Sequence, residues 1–168
     1  MKQMKKILSI AIVVALVAQS FIQMNQTVYA SESSAYYAVK SAYGSSFPLS
    51  TSNEINTPRR NVFGKYSKVL GVSGKYFKSY KAARKSSSSE EYVCAVFKAT
   101  SKKKAKKIVK SLKKFVKKEK SGNANYFSSY GKSLLNNAKV GKKGKYVYLF
   151  ILDTSGNSRA VTAFKNNA

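Results

Sequence analysis

The sequence predicts an α+β fold in which a small, mostly antiparallel sheet that includes a C-terminal hairpin is covered by helices. Three observations lead to this prediction. A lysine-coated helical pattern covers residues 101–122, an apolar run of strand character covers residues 90–99, and two further strand-like runs near the C-terminus are joined by a glycine-bounded loop. Helical pieces precede, separate and follow these strands, so we expect the helices to lie on the sheet.

The first 30 residues have the organisation of a cleavable signal peptide. A basic segment at 1–6 precedes a twelve-residue apolar run at 7–18, which is too short to span a bilayer comfortably. The tripeptide at 28–30 is VYA, a small-residue pattern of the kind that signal peptidase recognises. We therefore expect cleavage after Ala30 and a secreted or cell-surface protein, with an uncleaved N-terminal anchor as the alternative.

The single cysteine, Cys94, bears on both export and chemistry. No cysteine follows the leader, so we do not expect a lipoprotein, and one cysteine cannot form an internal disulfide. An exported chain without disulfides is more typical of a Gram-positive surface than of an animal secretory pathway. Because Cys94 lies in the apolar segment 92–97, we expect a small buried hydrophobic side chain, with a reactive thiol as the alternative.

The chain after Ala30 is long enough for one ordinary core, because its 138 residues can bury roughly two thirds of the surface of the unfolded chain. We divide it into a short helix and loop at 31–60 and a single α+β domain at 61–168. Residues 33–43 have the spacing of a short helix that ends at a glycine, and residues 62–70 have that of a second one.

The segments on either side of the lysine-coated helix are assigned from their periodicity and turn residues. Residues 76–84 carry aromatic side chains among bases, and period and propensity disagree there, so helix and strand both remain open. The later elements are a helix at 125–137 with Tyr130 on its apolar side, strands at 138–140 and 145–152, a hairpin loop at 141–144, a turn at 153–157 and a terminal helix at 158–164.

The lysine-coated helix at 101–122 has one apolar stripe and an otherwise basic surface. The stripe consists of Ala105, Ile108, Val109, Leu112, Phe115 and Val116. Eleven lysines cover the rest, and like charges spaced four residues apart cost roughly 0.2 to 0.5 kcal/mol per pair. Such a helix depends on packing of its apolar face, with Ser101 as N-cap and Gly122 as its C-terminal stop.

The charge of the chain predicts anionic partners. Without the three lysines of residues 1–30, the chain keeps 29 basic and 6 acidic residues, a net charge of +23 that attracts polyanions and anionic lipid head groups. The predicted partner is therefore an anionic cell-wall polymer or an anionic membrane surface. The residues predicted to bind it are Lys102, Lys103, Lys106, Lys107, Lys110, Lys113, Lys114, Lys117, Lys118, Lys142, Lys143 and Lys145.

Three alternatives accompany this hypothesis. The charge can be compositional, serving only solubility. The helix can act on membranes, as in a secreted cationic membrane-active effector. Non-specific nucleic-acid binding in vitro is compatible with the charge, but only four of the bases are arginine, and lysine lacks the bidentate fork that reads bases.

The sequence offers little for catalysis, so we predict a protein that is not an enzyme and needs no cofactor or metal. There is no histidine, and six acids with one cysteine make no recognisable metal site. The neighbours Glu90 and Glu91 are interpreted as a charged strand edge. A hydrolase using serine and lysine, or Asp153, is the least favoured hypothesis, because Ser-x-x-Lys matches are expected by chance in this composition.

A family resemblance covers residues 43–164. It depends on the strand EYVCAVFKA, the helix AKKIVKSLKKFVKK, the aromatic segment at Tyr126, and GKYVYLFILD followed by a short C-terminal helix. In these features the chain resembles a family of small exported Gram-positive proteins that is catalogued as a domain of unknown function, number 4358 in that series. The resemblance implies a secreted or surface-anchored α+β domain and assigns no functional residues. The chain lacks the lipid-attachment cysteine that many members seem to have.

Overall fold

The structure, a computed structural model, describes residues 31–55, 70–122 and 127–168. In these residues an antiparallel sheet of five strands is covered by helices on both faces, which makes three layers. The predicted fold class, an α+β fold with a mostly antiparallel sheet, a C-terminal hairpin and covering helices, is confirmed. The predicted leader at 1–30 and nearly all of the predicted helix at 62–70 lie outside the described residues.

The sheet has the strand order β1-β2-β3-β5-β4, and every pair of neighbours is antiparallel. Its strands are β1 (Glu54–Ile55), β2 (Phe77–Ser86), β3 (Glu91–Ala99), β4 (Lys139–Lys143) and β5 (Tyr146–Ile151). The two most apolar runs, β3 and β5, pair with each other inside the sheet, as their hydrophobicity on both faces predicts. The edges are the two-residue β1 and the lysine-rich β4.

Within the described residues, four helices cover the sheet in two pairs. They are α1 (Glu32–Tyr43), α2 (Lys102–Gly122), α3 (Ser129–Asn136) and α4 (Thr154–Asn167). The side chains of α2 and α3 form one apolar core with one face of the sheet, and those of α1 and α4 form a second core with the other face. α1 and β1, in the segment predicted as a short helix and loop, thus belong to the same three layers.

Successive side chains of the central strand β3 point to opposite faces of the sheet and so belong alternately to the two cores. In β3, Val93, Ala95 and Phe97 point towards α2 and α3, whereas Cys94 and Val96 point towards α1 and α4. β5 alternates in the same way. Cys94 is completely buried, which confirms the prediction of a small core residue.

The first helix matches its prediction closely. Ser31 caps α1 by accepting a hydrogen bond of 2.9 Å from the backbone N–H of Ser34, and Gly44 ends the helix with a φ of 74°. The loop predicted after Gly44 contains two short 3₁₀ turns, Gly44–Ser46 and Thr51–Asn53, and then β1, which pairs with β2.

The segment left open at 76–84 is strand. A 3₁₀ turn, Gly74–Tyr76, leads into β2, and β2 pairs with β3 along its whole length. The ring of Tyr80 stacks on that of Phe97 with 5.8 Å between centroids. Pairing with a neighbouring strand, which local periodicity does not register, therefore decides the conformation.

The predicted hairpin loop at 141–144 is wrong, because β4 continues to Lys143 and the turn holds only Gly144 and Lys145. Gly144 has a φ of 56°, as a tight two-residue turn with glycine in first position requires. Gly141 lies opposite Tyr148 in the ladder, and a β-carbon there would overlap the Tyr148 side chain. That glycine makes room for a ring and does not turn the chain.

Both of the last helices differ from their predictions. α3 is shorter than 125–137, and Tyr130 is 49% exposed, so it does not belong to the core. α4 begins at Thr154, four residues before the predicted start, because Asp153 caps it. Gly156 lies in its first turn, where a β-carbon would overlap the ring of Tyr43 on α1.

The third helix gives a first testable prediction. Gly131 packs against the backbone carbonyl of Ser89, and a β-carbon would overlap that oxygen. Glycine to alanine inside a helix ordinarily stabilises by about 0.5 to 1 kcal/mol. We expect Gly131→Ala instead to lower the free energy of unfolding by about 1 to 3 kcal/mol, because the overlap must be relieved by moving backbone.

Chemical denaturation measures this change. Gly122→Ala is the matched control, because nothing lies within 4 Å of its added β-carbon. Equal effects of the two substitutions would contradict the close approach of α3 to Ser89.

Candidate functional site

The candidate site is the outward surface of α2, and packing of the opposite face holds it in place. Ala105, Ile108, Leu112 and Phe115 are buried, and Val109 and Val116 pack against the same core. Ser101 caps the helix, since its hydroxyl accepts a hydrogen bond of 3.1 Å from the backbone N–H of Lys104. The predicted helix, its stripe and its N-cap are therefore confirmed.

The lysines of α2 lie where the prediction puts them. Ten of the eleven are exposed and Lys104 is half-buried. Lys106, Lys110 and Lys114 follow one another at four-residue spacing, so each has a like charge as its neighbour one turn away. The outward surface of α2 is basic except at a few positions that include Glu119, and the repulsion between its lysines opposes formation of the helix.

The three predicted lysines outside α2 do not all join this face. The register pairs Lys142 with Val147, which packs in the α2 core, so Lys142 lies on the α2 side. Lys143 pairs with Tyr146 on the opposite face, and its ammonium donates to the backbone carbonyl of Lys165 at the end of α4. Lys145 is exposed in the hairpin turn.

A cluster that the sequence analysis missed lies at the N-terminal end of α2. The ammonium groups of Lys75, Lys104 and Lys107 lie 5.9, 5.1 and 5.6 Å from the centroid of the Tyr76 ring. We call these four residues the Tyr76 cluster. Exposed cation–π contacts are worth about 0.5 to 1 kcal/mol each.

Only the fold brings the Tyr76 cluster together, because its members come from two elements more than 25 positions apart in sequence. The backbone N–H of Thr100 donates to the carbonyl of Tyr76 over 3.0 Å, which ties the 3₁₀ turn to the start of α2. The one available sequence signal was the run of aromatic residues among bases at 76–84. Of the cluster, only Lys107 was among the predicted binding residues.

Three of the six acids, Glu54, Glu91 and Asp153, form ion pairs or hydrogen bonds between different elements of the fold. Glu54 accepts from Lys40 of α1 at 3.2 Å and from Lys81 of β2 at 2.8 Å, with its side chain only 5% exposed. Burial alone would raise the pKa of Glu54, but the hydrogen bonds and charges of Lys81 and Lys40 outweigh it and lower the pKa below its ordinary value. Glu54 is thus ionised and bridges α1 to the sheet.

Glu91 is completely buried, so its interpretation as part of a charged strand edge is wrong. It accepts from two nitrogens of Arg84, at 2.5 Å and 3.1 Å, and the guanidinium lies 5.6 Å from the centroid of the Phe115 ring of α2. Arginine suits this position because its planar group can bind a carboxylate and stack on a ring at once.

Asp153, weighed from sequence as a catalytic acid, is the N-cap of α4. Its carboxylate accepts from the backbone N–H of Gly156 at 2.7 Å and from the hydroxyls of Ser155 and Tyr43. Burial raises its pKa, but the hydrogen bonds from Gly156 and Ser155 and the charge of Arg159 prevail and lower it below the ordinary value. The hydrogen bonds of the Asp153 carboxylate therefore stabilise the start of α4 and its contact with Tyr43 of α1.

The Cys94 thiol has no access to solvent. Complete burial raises its pKa, so the thiol stays neutral near pH 7 and is not a nucleophile.

A groove with a volume of about 690 Å³ runs between α1 and α4. It is open to solvent, and Arg159 is the one charged residue among those lining it. A smaller recess of about 270 Å³ lies between α2 and the edge strand β4, beside Lys113, Val116 and Val140. Neither recess brings together an acid and a base that could share a proton.

Residues 31–55, 70–122 and 127–168 contain neither a cluster of metal ligands nor a helix that could span a membrane. No three His, Cys, Asp or Glu side chains there lie close enough together to bind a metal ion. No helix there combines the length and apolarity needed to cross a bilayer.

The fold and its surface define the protein as a small three-layer α+β domain with one strongly cationic helix. Over residues 62–152, more than half of the chain, the sequence matches the family described as a domain of unknown function (DUF4358), and the chain belongs to this family. The family assignment made from sequence is confirmed. Comparison with curated proteins and with solved structures found no match.

Ionisation of the carboxylates gives a second prediction. Glu54 and Asp153 have folded-state pKa values below their ordinary values of roughly 4, so both stabilise the fold at neutral pH. That stability is present above the unfolded-state pKa and is lost as the pH falls through the folded-state pKa. We expect a constant melting temperature from about pH 7 to pH 5 and a steep decline below about pH 4.

Substitution separates the contribution of Glu54. At pH 7, Glu54→Gln should lower the free energy of unfolding by about 1 to 3 kcal/mol and make the acid decline shallower, because charged hydrogen bonds are lost. Glu32→Gln, in the first turn of α1, is the control and should cost less than about 1 kcal/mol. An acid decline that Glu54→Gln leaves unchanged would contradict the bridging role.

Proposed function

We propose that this protein is an exported, non-catalytic binding domain that attaches to anionic cell-envelope polymers or phospholipid head groups through delocalised charge. The observation that carries the proposal is the orientation of α2. Its apolar side chains are buried in the core, so ten exposed lysines form one outward basic face. A field of this kind concentrates polyanions at the surface.

The placement of the acids supports the proposal. Glu54, Glu91 and Asp153 are engaged within the fold by Lys40, Lys81, Arg84 and hydroxyl or backbone donors. They therefore compensate little of the charge on α2. Lysine ammonium groups are strongly hydrated point charges, which suits binding by charge density rather than recognition of a shape.

The proposal includes export through a signal peptide that is cleaved after Ala30, without lipid attachment. α1 begins at Glu32 with Ser31 as its N-cap, so cleavage at that point leaves the cap within the mature chain. The only cysteine is buried in the sheet and is not a lipid-attachment site.

The burial of Leu112 and Phe115 disfavours the alternative of a membrane-active effector. Their exposed fractions are 0% and 6%, so the apolar face reaches a bilayer only if α2 leaves the sheet. Replacing one such buried leucine by alanine typically costs 2 to 5 kcal/mol, and detaching the whole stripe costs more. Vesicle leakage caused by the folded protein would revive this alternative.

A salt series tests the proposed function. Binding of the protein to anionic cell-envelope fractions should weaken steeply as salt rises, with a slope of log affinity against log salt of about 0.7 per contact for a flexible polyanion. The variant Lys106→Gln/Lys110→Gln/Lys114→Gln should therefore lower the slope by about 2.

A charge-matched control is available on the opposite side of the sheet. Lys143 and Lys165 are exposed there and Lys98 lies over the ring of Tyr146 on the same side, and the triple glutamine variant of these three lysines should change the slope by less than about 0.5. Retention that survives molar salt, or no retention at low salt, would overturn the proposal.

A further inference from the structure

The Tyr76 cluster differs from the rest of the basic surface in its geometry. Along α2 the lysines radiate outward, whereas here three ammonium groups from two elements lie within 6 Å of one point, the centroid of the Tyr76 ring. The ring also packs against the α2 core. A convergent set of cations on a fixed aromatic surface is an arrangement suited to one bound anionic group.

The cluster has no carboxylate to balance it. The ion pairs found in the described residues belong to Lys40, Lys81 and Arg84. The acid of α2, Glu119, follows Lys107 by twelve positions, which is roughly 18 Å along a helix. Three like charges thus surround one ring without an ion pair to compensate them, and an anion bound beside them would reduce their repulsion.

The two elements that carry the cluster are fixed to each other. The Tyr76 carbonyl accepts from the backbone N–H and from the hydroxyl of Thr100, at 3.0 and 3.4 Å. Ser101, the next residue, caps α2. The lysine stems therefore start from a rigid base, and ordering them on a ligand costs less than it would on a loop.

We propose that Lys75, Tyr76, Lys104 and Lys107 form a discrete site for a phosphodiester group of a soluble polyol-phosphate polymer, the ring packing on the C–H groups beside the phosphate. This inference rests on the proposed function and gives it a location and a ligand class. A phosphodiester fits better than a carboxylate because its charge lies on two terminal oxygens of a tetrahedral phosphorus, which ammonium groups can approach from different directions, whereas the two oxygens of a carboxylate lie in one plane with their carbon.

The surroundings favour a polymer over a lipid. Tyr37 and Tyr130 are the large apolar side chains exposed in residues 31–55, 70–122 and 127–168, and neither belongs to the cluster. The cluster thus offers a phosphate site without an apolar group to insert among acyl chains. Phosphatidylglycerol carries the same head-group chemistry, so the experiment includes it.

Two triple variants with the same loss of charge test the site. One is Lys75→Gln/Lys104→Gln/Lys107→Gln, and the other is Lys114→Gln/Lys117→Gln/Lys118→Gln at the far end of α2. The probes are poly(glycerol phosphate) and polyglutamate of equal chain length, in about 0.15 M salt, where screening acts over about 8 Å. We expect the cluster variant to lose about tenfold in affinity for poly(glycerol phosphate) and the distal variant less than threefold.

Substitutions of Tyr76 test whether its ring contributes to binding, and they leave the charge of the site unchanged. Tyr76→Phe should keep the affinity and Tyr76→Leu should lower it at least threefold, because only the first keeps the aromatic surface. Thermal unfolding of each variant shows whether it folds. If Tyr76→Leu does not fold, the two lysine variants, which leave the buried apolar residues unchanged, decide the question alone.

The outcomes separate this inference from the proposed function. Equal losses in the two triple variants would overturn the discrete site and leave delocalised binding intact, whereas no binding of the unaltered protein even at low salt would overturn both. Equal affinity for polyglutamate would overturn the assignment to phosphate. Tighter binding to phosphatidylglycerol vesicles, lost in the cluster variant, would overturn the assignment to a soluble polymer.

Discussion

The apolar contact between α2 and the sheet stabilises a helix that its own charges would weaken. Lysines at four-residue spacing repel one another, so the helix depends on Ile108, Leu112 and Phe115 packing against β3 and β5. The same contact decides which way the lysines point. Stability and surface charge are therefore set by one stripe of side chains, and the basic face exists only while that stripe is buried.

The acids and the lysines have different roles in this molecule. Glu54 bridges α1 to β2, Glu91 binds Arg84 beneath Phe115, and Asp153 caps α4. The family match at 62–152 includes β2 to β5 with α2 and α3, while α1 and α4 lie on either side of it. Glu54 thus joins the flanking helix α1 to the matched part of the chain, and Asp153 joins the two flanking helices to each other, because it caps α4 and accepts from Tyr43 of α1.

Strong periodicity made part of this fold predictable. α1, β3, β5 and α2 follow their sequence patterns because each buries a long, regular set of apolar residues. The predicted bounds of the hairpin loop and the predicted start of α4 were wrong because Gly141 and Gly156 look like turn residues, yet each leaves space for a tyrosine side chain of another element. The exposed lysines of α2 could be predicted from one helix. The Tyr76 cluster could not, because it forms only when the 3₁₀ turn before β2 and the start of α2 come together.

The two edge strands of the sheet, as the structure describes them, affect whether copies of the protein associate at high local concentration. One edge, β1, is two residues long, and the other, β4, has Lys139, Lys142 and Lys143 along it. A second β4 approaching that edge would bring lysine against lysine, which opposes strand pairing between molecules. At high local concentration, this repulsion at β4 therefore disfavours the joining of sheets between copies and favours separate folded molecules over an aggregate.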